Sequence, residues 1–370
     1  MPKPPQLHPK ISEMRGSIFQ ALVGRPGVAE AVPLHVGDSW RAPPDAVAQI
    51  QAHQRGLNRY SPPRGRPALL EEIAARNNVS TKEVVVTAGA TGAFASIAQA
   101  TLVDGDEVLV LSPFWPLIRG IITVAGARPI EVPFYLEDGP VADRLTPHLT
   151  NRTVAIYVNS PNNPTGAMLS RDECQEIAAF AQQHNLWIWS DEVYDQLAWG
   201  ATHYPMHPFA PERTLTARSF SKTYAMAGYR CGYLTGPTQP ISAALKVSTH
   251  QAYCAPSFAQ EAALAALNHG DDWLTETVTS YRRALTQGAA TLGVKGPPGG
   301  TFLFVDIAAV LDERGPLGFL ERCLEAGFIV TPGDSCGSHY GSYIRICCTS
   351  TQPEQCQAAL SQLATMLDPA

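Results

Sequence analysis

The stretch 219–232 holds one lysine, Lys222, between Ser221 and Thr223. Ser219 comes just before it, and Arg230 follows between Gly228 and Gly232. A lysine amine forms a Schiff base with a carbonyl when it is desolvated or close to another cation. Two serine hydroxyls and a planar guanidinium suit a phosphate group, and the glycines let the backbone bend closely around it. The combination suits an aldehyde ligand that carries a phosphate. A solvated lysine in a Ser/Gly loop is the alternative for this stretch taken alone.

Other positions carry complementary chemistry. Asp191 ends the run Trp187-Ile188-Trp189. A semi-buried carboxylate there needs a partner. A protonated pyridine nitrogen would serve and would keep that ring an electron sink; a helix N-cap is the other reading. Tyr194 can share a face with Asp191 or pack in the core. Asn163 sits in an Asn-Pro-Thr-Gly turn made rigid by Pro164 and Gly166. Its amide can donate to a phenolate-type oxygen, or the turn is an ordinary one. Gly89, Ala90 and Thr91 open a helix directly after a strand, which is a phosphate site or a tight connection. Trp115 follows a Ser-Pro turn and can lie flat on an aromatic ligand or in the core. Arg345 lies in the short strand 343–346. A buried guanidinium needs a partner, such as a substrate carboxylate, while strand alternation equally allows it to face solvent. Together these groups suit pyridoxal phosphate.

Most of these sites fall at the ends of expected strands: 89–92, 112–115, 159–166, 191–194 and 219–222. In open parallel sheets, ligands bind beyond the carboxyl ends of the strands. Residues 84–86, 107–111, 154–158, 186–189, 213–218 and 232–235 read as strands. Helices are expected over 45–56, 67–77, 89–102, 119–125 and 170–184, the last with a Ser170/Glu173 capping box. The alternation predicts a large three-layer α/β domain with a mainly parallel sheet. After Pro256 the pattern is helical, with a long helix over 271–292. The tail predicts strands at 301–305, 328–331 and 343–346 and helices at 315–326 and 353–367, a smaller α+β domain. Residues 1–30 read as a loose arm with a short helix near 11–22, and the strand 32–36 joins the small domain. The expected division is 1–40 for the arm and part of the small domain, 41–285 for the large domain and 286–370 for the rest of the small one.

A chain of 370 residues can bury a large core, and its 45% hydrophobic content is that of a globular protein. A net charge of −6 without any basic run argues against nucleic acid or an anionic membrane surface as partner. The eight cysteines are scattered without CxxC spacing, as expected of reduced thiols in a cytosol. His203 and His207 have HxxxH spacing, but Pro205 between them argues against a helical metal site, and no metal is expected. Residues 1–10 are Pro-rich and lack the apolar segment of a secretory signal. No apolar run reaches the ~18 residues that span a bilayer. A cytoplasmic protein is expected.

The set of motifs resembles the class I/II aminotransferases, enzymes of fold type I that use pyridoxal phosphate. The resembling segments run in the family's order: Gly37 in VGDSW, Tyr60 in YSPPRG, TAGAT at 87–91, SPFW at 112–115, NSPNNPTG at 159–166, SDEVY at 190–194, SFSKTYAMAGYRCGY at 219–233 and YIRI at 343–346. The resemblance implies that Lys222 carries the cofactor as a Schiff base and moves the substrate proton. It implies that Asp191 pairs with the pyridine nitrogen and that Tyr194 and Asn163 bond the ring oxygen. Ser219, Ser221, Arg230 and the amides of Ala90 and Thr91 would bind the phosphate, with Trp115 stacked on the ring. Arg345, the Gly37 backbone and Asn163 would hold the substrate α-carboxylate. Tyr60 would reach the phosphate of a neighbouring subunit, which implies a homodimer with shared active sites.

The implied reaction moves an amino group between an L-amino acid and a 2-oxo acid. A β-lyase of the same fold shares every motif. A non-catalytic regulatory protein that binds pyridoxal phosphate is the rival from another class; against it, the lysine is present and no helix-turn-helix segment precedes residue 30. Thr91 stands where one prokaryotic aspartate aminotransferase subgroup has a lysine for a second carboxylate, so dicarboxylate substrates are not expected to lead. VGDSW also departs from the usual GEPDF-like form, and Trp40 within it is expected to line the side-chain pocket.

Overall fold

A computed structural model describes residues 11, 14, 25–50 and 56–368. The segment 1–10, most of the helix expected over 11–22 and residues 51–55 of the one expected over 45–56 lie outside the described residues; among those described, the latter runs only over Asp45–Ala48. In chain order the strands begin with β1 (Val32–Pro33), β2 (Val84–Thr87), β3 (Glu107–Ser112), β4 (Arg128–Pro133), β5 (Thr153–Asn159) and β6 (Trp187–Asp191). They continue with β7 (Thr214–Ser219), β8 (Gly232–Thr235), β9 (Phe302–Asp306), β10 (Phe328–Ile329), β11 (Thr331–Pro332) and β12 (Tyr343–Cys347).

One seven-stranded sheet runs in the order β2-β8-β7-β6-β5-β3-β4. β4, β3, β5, β6 and β7 are mutually parallel, and β8 runs antiparallel to both β7 and β2. Helices cover both faces, so the central strands are apolar on both sides. Val108, Val110, Ala155, Tyr157 and Trp189 face the helix Gly89–Thr101 through Phe94 and Ile97. Their alternates Leu109, Ile156, Val158 and Ile188 face the helix Arg171–Gln183 through Ile177 and Phe180. That helix starts on the expected capping box: Ser170 Oγ accepts from Glu173 N at 3.2 Å, and Glu173 Oε2 accepts from Ser170 N at 2.9 Å. Each large side chain closed off this way contributes about 1.5–3 kcal/mol.

The smaller elements form a three-stranded antiparallel sheet, β11-β12-β9, and the parallel pair β1–β10. Their core gathers Leu34, Tyr281, Leu285, Phe302, Phe319, Ile344, Ile346 and Leu360. The helix Asp271–Thr291 runs through the expected 285/286 boundary. Its Trp273 packs on the core of Leu69, Phe220 and Tyr224, while its Tyr281 and Leu285 lie in the small core.

Several elements differ from the sequence reading. β4 was not expected, because Pro129 and Pro133 break its strand pattern. It lies at the edge of the sheet, where a missing N–H is tolerated. The helix Thr238–Ala252 precedes the point where helical structure was expected to begin, and its Pro240 sits harmlessly in the first turn. A short helix, Val141–Leu145, was also missed. The strand expected over 328–331 is two short strands, because β10 pairs with β1 and β11 with β12.

Candidate active site

The parallel register places Asn159 opposite Asp191 and Asp191 opposite Ala217, while Ser219 pairs with Gly232. Asn159, Asp191 and Ser219 are therefore the last residues of β5, β6 and β7. The chain leaves β7 directly into the short helix Phe220–Thr223, which carries Lys222. Ser219 caps it, accepting from Ser221 N at 3.2 Å and donating to Ser221 Oγ at 2.8 Å. Lys222 Nζ donates to the Gly37 carbonyl. Burial lowers the Lys222 pKa from the usual lysine value, and Arg345 and Arg230 push in the same direction.

Asp191 is buried. Its Oδ2 accepts from the Tyr157 hydroxyl at 2.6 Å and its Oδ1 from Val193 N at 3.4 Å. No helix follows it, so it is not a helix N-cap. Burial pushes its carboxyl up to about 7. Tyr194 is buried edge-on to Phe302, ring centroids 6.0 Å apart, and burial pushes its phenol up.

The Asn163 turn is held as its sequence suggests. Gly166 has φ +70°, and Asn163 N donates to Asn159 Oδ1 at 2.6 Å. Asn163 Oδ1 accepts from Arg345 Nη1 at 2.9 Å, which makes the amide N–H groups the donor side of that residue. Arg345 is 8% exposed, which rules out the solvent-facing alternative. Its strand β12 is the middle one of its sheet, with Ile344 and Ile346 also buried. Arg345 Nη2 donates to the His35 carbonyl at 2.8 Å and to Thr331 Oγ1 at 3.2 Å, and the guanidinium lies over the Phe302 ring at 4.4 Å. These acceptors are all neutral, so the fork lacks the anion that would satisfy it best.

No side chain caps the helix that starts at Gly89. Gly89 has φ +70°, and a Cβ there would lie 2.7 Å from Arg230 Nη2. A Cβ on Gly232 would lie 2.9 Å from Gly89 Cα, so the start of β8 passes directly beneath this helix end. Because Gly232 also pairs with Ser219, the serines, Arg230 and the first-turn amides of Ala90 and Thr91 surround one place. Trp115 is half-buried, 6.4 Å from Phe94. Trp40 meets Tyr281 edge to face at 5.0 Å, and its backbone N–H donates to the Thr349 carbonyl. Tyr60 is 83% exposed, its ring 4.7 Å from that of Tyr253.

The site fits pyridoxal phosphate on structural grounds. An uncapped helix start with a guanidinium over a glycine is an anion cradle. A dry carboxylate with one strong donor has room for a cationic N–H. A desolvated lysine is the kind of amine that condenses with an aldehyde. Among the described residues, no cluster of three His, Cys, Asp or Glu side chains could hold a metal ion, and no helix is long and apolar enough to cross a membrane.

Sequence reasoning missed Tyr157, whose place in an apolar run reads as plain core; its alternation with Asn159 was the available signal. It also missed the buried ion network behind the site. Glu192 pairs with Arg218 and His203, and Arg218 also pairs with Asp195 at 3.0 Å.

Residues 30–363 match the family Aminotransferase class I and II. The aspartate/prephenate aminotransferase of Thermus thermophilus is 34% identical over 361 residues, covering 93% of this chain and 92% of the relative. Aromatic-amino-acid aminotransferase 2 of Thermococcus litoralis is 30% identical, covering 92% of each chain. The solved structure of Thermus thermophilus aspartate aminotransferase with maleate superposes with a TM-score of 0.89 at 31% identity, covering 98% of this chain and 100% of the other. The chain therefore belongs to the class I and II aminotransferases, and it is an amino-acid aminotransferase of fold type I that depends on pyridoxal phosphate.

Proposed function

We propose that this aminotransferase takes a neutral or aromatic L-amino acid as its best donor, with a 2-oxo acid as acceptor, and works in the cytoplasm as a homodimer. In this reading residues 41–285 form the large cofactor-binding domain, and 286–370 form the smaller domain together with part of the segment 1–40. When bound, pyridoxal phosphate supplies an electron sink for the pair left at the substrate Cα. Lys222, whose pKa burial lowers, takes the proton from Cα and delivers it to the carbon that carried the cofactor's aldehyde. Asp191 balances the positive charge on the ring nitrogen. Asn163 and Tyr194 donate to the ring oxygen, and Trp115 covers one ring face. Ser219, Ser221, Arg230 and the Ala90 and Thr91 amides hold the phosphate, and Tyr60 of the second copy completes that site. Arg345 binds the substrate α-carboxylate, with Asn163 and the Gly37 backbone beside it, and Trp40 lines the side-chain pocket.

The donor assignment rests on where the cationic side chains are committed. A dicarboxylate needs a second cation, because an unpaired buried charge costs several kcal/mol. Thr91 brings none. Arg41 is held by Glu276 at 3.3 Å and lies over the Trp273 ring at 5.2 Å. Arg64 donates to the backbone carbonyls of Lys82 and Val84. The relatives include one named for aspartate and prephenate and one for aromatic amino acids, so both donor classes belong in the test. The measurement is kcat/KM for aspartate, glutamate, alanine, phenylalanine and tryptophan with one fixed 2-oxo acid. Phenylalanine, tryptophan or alanine should lead. A lead of about tenfold or more for either dicarboxylate would overturn the assignment.

A further inference from the structure

Tyr157 and Asp191 stand on neighbouring parallel strands, with Tyr157 opposite Trp189 and Asn159 opposite Asp191. The Tyr157 hydroxyl donates to Asp191 Oδ2 at 2.6 Å. Both residues are shut away from water, Tyr157 at 0% exposure and Asp191 at 3%. The other carboxylate oxygen takes the Val193 N–H at a long 3.4 Å, so the phenol is the strong donor to this group. The Tyr157 ring is locked edge-on against Phe94, centroids 5.4 Å apart, and cannot swing off the carboxylate.

We propose that Tyr157 is a positioning residue: its hydroxyl orients the Asp191 carboxylate and keeps it ionised, so that the shared proton stays on the cofactor ring nitrogen. A buried carboxyl otherwise tends to take a proton, whereas a donor to the charged form opposes that tendency. Burial already carries Asp191 up to about 7 with the phenol in place. Without the phenol, the proton of the pair would move towards the carboxylate, and a neutral ring nitrogen is a weaker sink. The proposal rests on the assignment of Asp191 to that nitrogen.

The test is the dissociation constant of pyridoxal phosphate from the full-length protein, measured against pH for wild type, Tyr157→Phe, Asp191→Asn and the double variant. Tyr157→Phe should bind the cofactor about tenfold more weakly near neutral pH, the usual size of a hydrogen bond to a charge. The acid limb of its affinity should move to higher pH. On the Asp191→Asn background the same change should cost nothing further, because there is no charge left to support. Wild-type affinity and an unmoved acid limb in Tyr157→Phe would overturn the proposal. So would an equal loss on both backgrounds, which would make the phenol a packing group. Unchanged affinity in Asp191→Asn would instead overturn the ring-nitrogen assignment, and the proposal with it. If Tyr157→Phe does not fold, 3,5-difluorotyrosine at position 157 keeps the shape and makes a stronger donor. The acid limb should then move to lower pH, and an unmoved limb would overturn the proposal.

Discussion

Replacing Gly89 by alanine isolates the anion cradle from the rest of the site. Gly89 has φ +70°, a conformation that costs an L residue about 1–2 kcal/mol. The new methyl would also lie 2.7 Å from Arg230 Nη2 and 3.3 Å from its Cζ. That contact is with the far end of a flexible side chain, so the guanidinium gives way before the backbone does. The fold therefore loses only the backbone cost. A cofactor phosphate loses a charge-assisted partner worth about 1.5–3 kcal/mol, which is about a ten- to hundredfold weaker dissociation constant. Gly105→Ala is the control. It has φ +91° and nothing within 4 Å of an added Cβ, so it carries the strain without the collision. Both variants should lose similar stability to urea in the cofactor-free state, and only Gly89→Ala should lose cofactor affinity. Equal affinities in the two variants would refute the placement of the phosphate against Arg230 and the helix start.

Three other outcomes follow from the same geometry. Lys222→Ala should stay folded and bind pyridoxal phosphate without a covalent link; borohydride fixing cofactor at the wild-type level would contradict the role of Lys222. Tyr60→Phe should weaken cofactor binding, and mixing it with Lys222→Ala should restore activity through hybrid dimers with one intact site; silence after proven subunit exchange would argue that Tyr60 does not cross between copies. Glu192→Gln should destabilise the cofactor-free protein in a pH-dependent way. Burial alone would raise Glu192, but Arg218 and His203 hold it down from 4.5 to about 2. Stability from a depressed carboxyl is present above its ordinary value and lost as pH falls through the folded one. The gap to wild type should be on the order of 3 kcal/mol at neutral pH and close towards pH 2. A gap that is flat across that window would show that the charge is not what holds Glu192 in place.

The site loops were legible in the sequence because each needs unusual residues at the end of a strand. Asn163-Pro164-Thr165-Gly166 can hardly be anything but a turn, and Lys222 among Ser219, Ser221 and Gly228 marked a ligand loop, although the short helix Phe220–Thr223 within it did not show. Long periodic helices were equally legible, and the helix Pro353–Leu367 has the expected bounds. What stayed hidden depended on neighbours. β4 is a strand only because the sheet edge excuses its prolines. Arg345 could face either way on alternation alone, and the cover on both faces of β12 decides for burial. Tyr157 looks like any other aromatic in a buried strand until β6 places a carboxylate at its hydroxyl.

Two hydrogen bonds across the site each occupy a group that the proposed mechanism needs. Lys222 Nζ donates to the Gly37 carbonyl, and Arg345 Nη1 donates to Asn163 Oδ1. A substrate carboxylate makes a charge-assisted bond about twice as strong as the neutral one it replaces at Arg345. The arginine keeps its orientation during that exchange, because the His35 carbonyl, Thr331 and the Phe302 ring still hold it. Asn163 is then free of Arg345, while its backbone stays tied to Asn159. In the same way, the Lys222 amine must leave Gly37 before it can act at Cα. On the proposed mechanism, substrate arrival would exchange these two contacts for contacts through the ligand, while the bonds from Phe114 N to the Cys336 carbonyl and from Ser338 N to Glu131 stay in place.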